Sequence, residues 1–286
     1  MNPVRASTLA AADAQAGSSS RRLRARAEDI IADFAQDHPG RSVTVDHDDI
    51  GRVAVRGAVA RPAASVFKLA LVLAVLRQCE RGVLDAAARY RIGLFPPTAF
   101  PSLLTAFDPD HEISLREICR LALQTSDNPL AVFLDALCPR SIVAETLEQI
   151  GISRDRFELC AGYTDPELGA ANRANALNSD DALTLLQAIT ARQDYADLVR
   201  AMQNSTRNTR IPAFLPPGAR AAHKTGTLDG VANDVGMISS GERRFWAAFL
   251  TEREADLEQT ALDIGRCARS LFDLLLSHDP ISEASR

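Results

Sequence analysis

The sequence predicts an α/β protein in which an antiparallel five-stranded sheet, flanked by N- and C-terminal helices, is interrupted by an inserted all-α domain. Three observations carry this. Strand-like runs lie at both ends of the chain, at 42–46 and 52–59 and again at 220–225, 234–239 and 244–251. The stretch between them is mostly helical in period. Residues 64–76 are apolar on every face after Lys68, and a helix hydrophobic all round belongs in the interior. That helix is too short to cross a bilayer, which takes about 20 apolar residues.

The elements follow in order. Residues 1–20 are Ala/Ser-rich and polar and read as a flexible tail. Leu23, Ile30, Ile31 and Phe34 have helical spacing, so a first amphipathic helix is expected over 22–36, stopped by Asp37-His38-Pro39-Gly40. The runs 42–46 and 52–59 form a hairpin. Gly82 closes the buried helix, and Ser114 with Glu117 is a capping box that starts a helix over 114–124. Further helices are expected over 128–137 and 141–150, the second ended by Gly151. Residues 154–178 hold Pro166 and two glycines and have no period, so a long irregular loop is expected, and such loops are usually functional. Helices return over 180–190 and 196–202, and Pro212, Pro216, Pro217 and Gly218 mark a boundary before the last strands. A long amphipathic helix over 256–277 ends the fold. The resulting division is a sheet domain made of 21–60 and 212–286, a helical domain of 61–211, and an active site at their interface.

Composition narrows the function classes. Hydrophobic content of 46% with 24% charged residues is ordinary for a soluble globular chain. A net charge of -5 and only 5% aromatics give no basis for binding nucleic acid. The five histidines and five cysteines never fall into metal-ligand spacing, so neither a metal nor a cofactor is expected. An odd cysteine count without paired spacing points to free thiols in a reducing compartment. Arg21-Arg22 is not followed by an apolar stretch that would make an export signal. A cytoplasmic protein without a membrane segment, acting on a small-molecule substrate, is therefore expected.

Chemistry enters at the mouth of the buried helix. Ser65 and Lys68 lie one turn apart on one face, a hydroxyl nucleophile beside a base. An ammonium there is costly to bury unless it is paired or gives up its proton. Of the 32 Lys and Arg residues only Lys68 and Lys224 are lysine. Lysine can be neutralised by burial and relay protons, which arginine effectively cannot. An ordinary helix N-cap would account for Ser65 but not for Lys68.

Further short motifs join Ser65-x-x-Lys68: Ser126-Asp127-Asn128, Lys224-Thr225-Gly226, and Pro166-Glu167-Leu168 in the irregular loop. In order and spacing the sequence resembles a class A serine β-lactamase, within the penicillin-recognising serine hydrolases, from about residue 22 to 277. The resemblance implies an acyl-enzyme on Ser65, with Lys68 taking the serine proton directly or through water. It places the oxyanion between the backbone N–H groups of Ser65 and Thr227. Ser126 would relay a proton to the leaving lactam nitrogen. Lys224 and Thr225, with Gly226 beside them, would bind the substrate carboxylate. Asn128 would orient the substrate amide, and Glu167 would activate the water that releases the acyl group.

Departures from that family pattern bear on turnover and recognition. The asparagine that usually follows the loop glutamate is absent, with Gly169 and Ala170 in its possible places, and Asp165 stands where the loop's arginine is usual. Arg173 is a candidate to close a pair of reversed polarity with Asp165. On the strand after K-T-G, Asn233 and Asp234 stand where an arginine is expected. Acylation is therefore expected to survive, with deacylation or substrate choice altered. The alternatives are an intracellular acyltransferase or amide/peptide hydrolase of a biosynthetic pathway, and a lactam-binding protein that does not turn over.

Overall fold

The structure is a computed structural model that describes residues 3–97, 102–157 and 175–277, with side-chain packing from residue 17 onward. Helix α1 (Pro3–Ala35) starts well before the expected position and draws in residues read as a tail. Its packed part buries Ala27, Ile31, Phe34 and Ala35. The hairpin forms as β1 (Arg41–His47) and β2 (Gly51–Val55), with Val43 opposite Val55 and Asp46 opposite Arg52. Strands β7 (Arg220–Leu228), β8 (Val231–Ser240) and β9 (Arg243–Thr251) complete an antiparallel sheet in the order β2-β1-β9-β8-β7.

Both β7 and β8 are longer than the apolar runs predicted. They meet at the two-residue turn Asp229-Gly230, where Gly230 takes a φ of 67° that glycine adopts without a Cβ penalty. The K-T-G motif therefore lies inside a strand rather than at its end.

Helix α2 (Lys68–Glu80) is the buried rod the sequence predicts, with every residue from Lys68 to Leu76 buried. Ser65 precedes it in a tighter 3₁₀ turn, Ala64–Phe67, so the helix proper begins at Lys68. Around it pack α3 (Leu115–Gln124), α4 (Asn128–Leu137), α5 (Arg140–Gln149) and α6 (Ser179–Thr190). The capping box at the start of α3 is complete: Ser114 Oγ accepts from the Glu117 amide, and the Glu117 carboxylate accepts from the Ser114 amide. Helix α7 (Ala196–Gln203) packs on α3, and α8 (Leu257–Leu275) packs on α1 behind the sheet.

Two apolar cores result. One centres on α2 and reaches the sheet through Ala222, Val235 and Ala248, while the other joins α1 and α8 to the opposite face through Val45, Ile238 and Phe249. Alternate residues of β8 and β9 serve the two cores, as a strand covered on both sides requires.

Two short ladders escaped the sequence reading. One pairs β4 (Arg89–Arg91) with β5 (Glu112–Ser114). The other pairs β3 (Arg61–Pro62) with β6 (Ala176–Leu177) and corrects the expectation that 154–178 is irregular throughout. The Ala63 amide donates to the Asn175 carbonyl at 2.7 Å, so the chain leaving segment 158–174 is anchored two residues from Ser65.

Candidate active site

Four elements deliver the site: the 3₁₀ turn carrying Ser65, the first turn of α2, the turn before α4, and β7. Lys68 is fully buried at the mouth of the helical core. Its Nζ lies 2.5 Å from the Ser126 carbonyl, 2.7 Å from Asn128 Oδ1, 3.2 Å from Ser126 Oγ and 3.3 Å from Ser65 Oγ. Two of these contacts, the Ser126 carbonyl and Asn128 Oδ1, are to oxygens that only accept, so they take N–H protons, whereas the two hydroxyls can donate as well as accept. Burial, opposed by Asp127 and assisted by Arg207, brings the Lys68 pKa down to about 7. An amine in that range can take a serine proton and pass it on.

Ser126 stands between the two lysines, with Lys224 Nζ donating to its Oγ at 2.9 Å and to the Thr225 carbonyl at 2.7 Å. Burial and then the Lys68 charge hold Lys224 well below the usual lysine range, with Asp234 acting against them. Ser126 is held at a φ of 60°, and Ala64, immediately before Ser65, at 48°. Two of the four described non-glycine residues with positive φ are thus in the site, which marks stored backbone strain of about 1–3 kcal/mol each. Asp127 holds the Ser126 turn in place: its carboxylate caps α4 through the Leu130 amide and accepts from Ser102 Oγ at 2.7 Å and the Leu103 amide at 2.9 Å.

Gly226 sets how closely β7 approaches the Ser65 turn. A Cβ there would fall 2.8 Å from the Ala63 carbonyl oxygen, 3.0 Å from Ala64 Cβ and 3.1 Å from the Ser65 amide nitrogen. Thr225 is buried on the same strand and Thr227 is exposed at the cleft edge. Glu167, with Pro166, Leu168, Gly169, Ala170, Asp165 and Arg173, lies outside the described residues.

One of the two residues at which an arginine was expected has a clear structural task. Asn233 is fully buried; its Nδ2 donates to the Pro62 carbonyl at 2.7 Å and its Oδ1 accepts from the Thr251 amide at 2.7 Å, tying the sheet to the turn before Ser65. An arginine that the sequence reading missed reaches the K-T-G strand from elsewhere. Arg210, from the turn before β7, donates through one guanidinium nitrogen to the Gly226 carbonyl at 2.9 Å and to the Asn233 carbonyl, and through the other to Thr227 Oγ1 at 2.6 Å. With its oxygen engaged by Arg210, the Thr227 hydroxyl has its proton left to donate outward.

The Ser65 hydroxyl thus lies beside the Lys68 amine where the sheet meets the helical core, the arrangement expected of the class A β-lactamase type. The Beta-lactamase enzyme family profile matches residues 22–275, and the chain belongs to that family. Solved structures share the fold at low identity. The β-lactamase of Sphaerobacter thermophilus is 22% identical with a TM-score of 0.75, over 90% of this chain and 99% of that one. A class A representative from Bacteroides cellulosilyticus is 23% identical with a TM-score of 0.75, again over 90% and 99%. A mutant of PBP-A, captured as an acyl-enzyme complex with penicillin G, is 21% identical with a TM-score of 0.73, over 90% and 97%. No curated protein sequence matches the chain.

Proposed function

We propose that this protein opens a β-lactam by acylation of Ser65 and water-mediated deacylation. The observation that carries the proposal is the Lys68 amine, within 3.3 Å of both the Ser65 and Ser126 hydroxyls and brought by burial to a pKa of about 7. Ser65 gives its proton to Lys68 as Oγ attacks the lactam carbonyl carbon. The oxyanion forms against the backbone N–H groups of Ser65 and Thr227. The ring C–N bond then breaks, and Lys68 returns the proton to the nitrogen through Ser126, which Lys224 orients.

The substrate carboxylate docks on Lys224, Thr225 and the Thr227 hydroxyl, with the Arg210 charge behind them. Asn128, held by Lys68, orients the substrate amide. Glu167 takes a proton from the water that attacks the ester; the bond between the acyl carbon and Ser65 Oγ then breaks, Oγ takes up that proton, and Ser65 and Glu167 are both regenerated. Gly169 and Ala170 supply no side-chain amide to that water, so deacylation is the slower half of the cycle.

Intact-protein mass spectrometry with a panel of lactams tests this. The expected result is an adduct on Ser65 that appears and decays, and that is absent in Ser65→Ala. A permanent adduct would mark a sequestering protein, and no adduct with any lactam would refute the proposal. Gly169→Asn is expected to shorten the adduct lifetime.

A further inference from the structure

Behind the K-T-G strand, facing away from Lys68, lies a buried polar chain that the proposed chemistry does not use. Asp234 on β8 and His223 on β7 are 0% and 1% exposed. His223 Nδ1 lies 2.9 Å and 3.0 Å from the two Asp234 carboxylate oxygens, and Nε2 lies 3.2 Å from Asn208 Oδ1. Asp234 Oδ2 also accepts from the Ile211 amide at 3.0 Å. That amide belongs to the peptide linking Arg210 to Ile211. The carboxylate therefore grips the backbone at the point where the Arg210 side chain departs for the cleft.

Room has been made for this chain of contacts. Gly236 is opposite His223 in the β7–β8 register, and a Cβ on it would lie 3.0 Å from His223 Cβ and 3.0 Å from Ile211 Cδ1. Arg210 in turn is 7% exposed, and its Nε is buried with no hydrogen-bond partner, so its fork is held only at its outer end. Such a side chain depends on its backbone for its aim.

We infer that Asp234, steadied by His223 and Asn208, is a positioning residue that fixes Arg210 over Gly226 and Thr227 and so sets selectivity for a carboxylate-bearing substrate. The inference rests on the role given to Arg210 under the proposed function. Asp234 also supplies the counter-charge for both Arg210 and Lys224, raising the pKa of each against the cost of burial. A carboxylate at this position thus replaces an in-strand cation with an anion that holds a cation arriving from outside the sheet.

Two measurements test it. The first is the acylation-rate ratio between benzylpenicillin and its methyl ester, which lacks the free carboxylate. Arg210→Ala is expected to lower the acid-to-ester ratio by about tenfold or more, as loss of a charged hydrogen bond does. Asp234→Asn and His223→Ala should lower it in the same direction. His223→Asn should restore much of the ratio, because its amide N–H can stand where Nδ1–H stood. If Arg210→Ala leaves the ratio unchanged, the carboxylate role of Arg210 fails. If Arg210→Ala collapses it while Asp234→Asn and His223→Ala stay within twofold of the parent, the positioning inference is overturned.

The second readout needs no substrate: solvent exchange of the Arg210 guanidinium protons by ¹⁵N NMR. Exchange should be slow in the parent, faster by about tenfold or more in Asp234→Asn and His223→Ala, and slow again in His223→Asn. Equal protection in all four overturns the inference whatever the lactam results. If Asp234→Asn fails to fold, the two His223 variants decide the matter.

Discussion

Replacing Gly226 by alanine isolates the contact between the K-T-G strand and the turn that carries Ser65. Gly226 does not have a positive φ, so alanine adds bulk without backbone strain. The new Cβ would stand 2.8 Å from the Ala63 carbonyl oxygen, 3.0 Å from Ala64 Cβ and 3.1 Å from the Ser65 amide nitrogen. Favourable contacts between carbon atoms lie at about 3.5–4.0 Å, so β7 and the turn must separate by about 0.5 Å or more. Two of the three obstacles are main-chain atoms, and no flexible side chain can absorb the shift.

The Ser65 and Thr227 amides, assigned to the oxyanion, lie on opposite sides of this contact. A misplacement of about 1 Å can cost about 10²-fold in rate, so roughly half that displacement should slow acylation about tenfold. Overpacking of this kind costs about 1–3 kcal/mol of stability. Single-turnover acylation by a chromogenic lactam, with thermal melts of both proteins, separates the two effects. Acylation by Gly226→Ala within twofold of the parent would refute the reasoning.

Four other expectations follow from the same structure. Acylation should rise with pH through about 7, because Lys68 must be neutral to accept the serine proton; a rate flat from about pH 5 to 9 would exclude Lys68 as the base. The same lowered pKa means the unfolded chain holds a proton that the folded one has released between about 7 and 10.5, so this group's contribution to stability grows as pH rises through that window and is lost as pH falls through about 7. Asn233→Ala should cost about 2–5 kcal/mol in denaturant unfolding, since it strands the Pro62 carbonyl and the Thr251 amide in the interior. Leu71→Ala, in the fully buried rod of α2, should cost about 2–5 kcal/mol by the same measurement while leaving the positions of Ser65 and Lys68 unchanged.

Much of the fold was legible because its signals are local. The apolar run of α2, the Ser114–Glu117 box and the strand patterns of β1, β8 and β9 each declare themselves within a few residues. Asp229-Gly230 was also a readable hairpin signal, and it would have given the true length of β7 and β8. The two-residue ladder of β3 with β6 was not readable, because its partners are more than 100 positions apart and neither has a strand pattern.

At the site the short motifs pointed to Ser65, Lys68, Ser126, Asn128 and Lys224, which the fold brings within hydrogen-bonding distance of one another. Arg210 escaped because it belongs to no motif and reaches the cleft from an irregular turn. Its clue was indirect: a histidine before K-T-G, an aspartate in place of a cation and a glycine two residues after that aspartate form a set whose meaning appears only when β7 and β8 are laid side by side.

The preference for arginine has a practical outcome. Both lysines are interior, at 0% and 1% exposure, so apart from the α-amino group the protein presents almost no primary amine to solvent. An amine-selective acylating reagent would find its side-chain targets only when the groove beside Ser65 breathes. The tempo of that labelling, followed residue by residue, would time the opening of the groove against a nearly silent background.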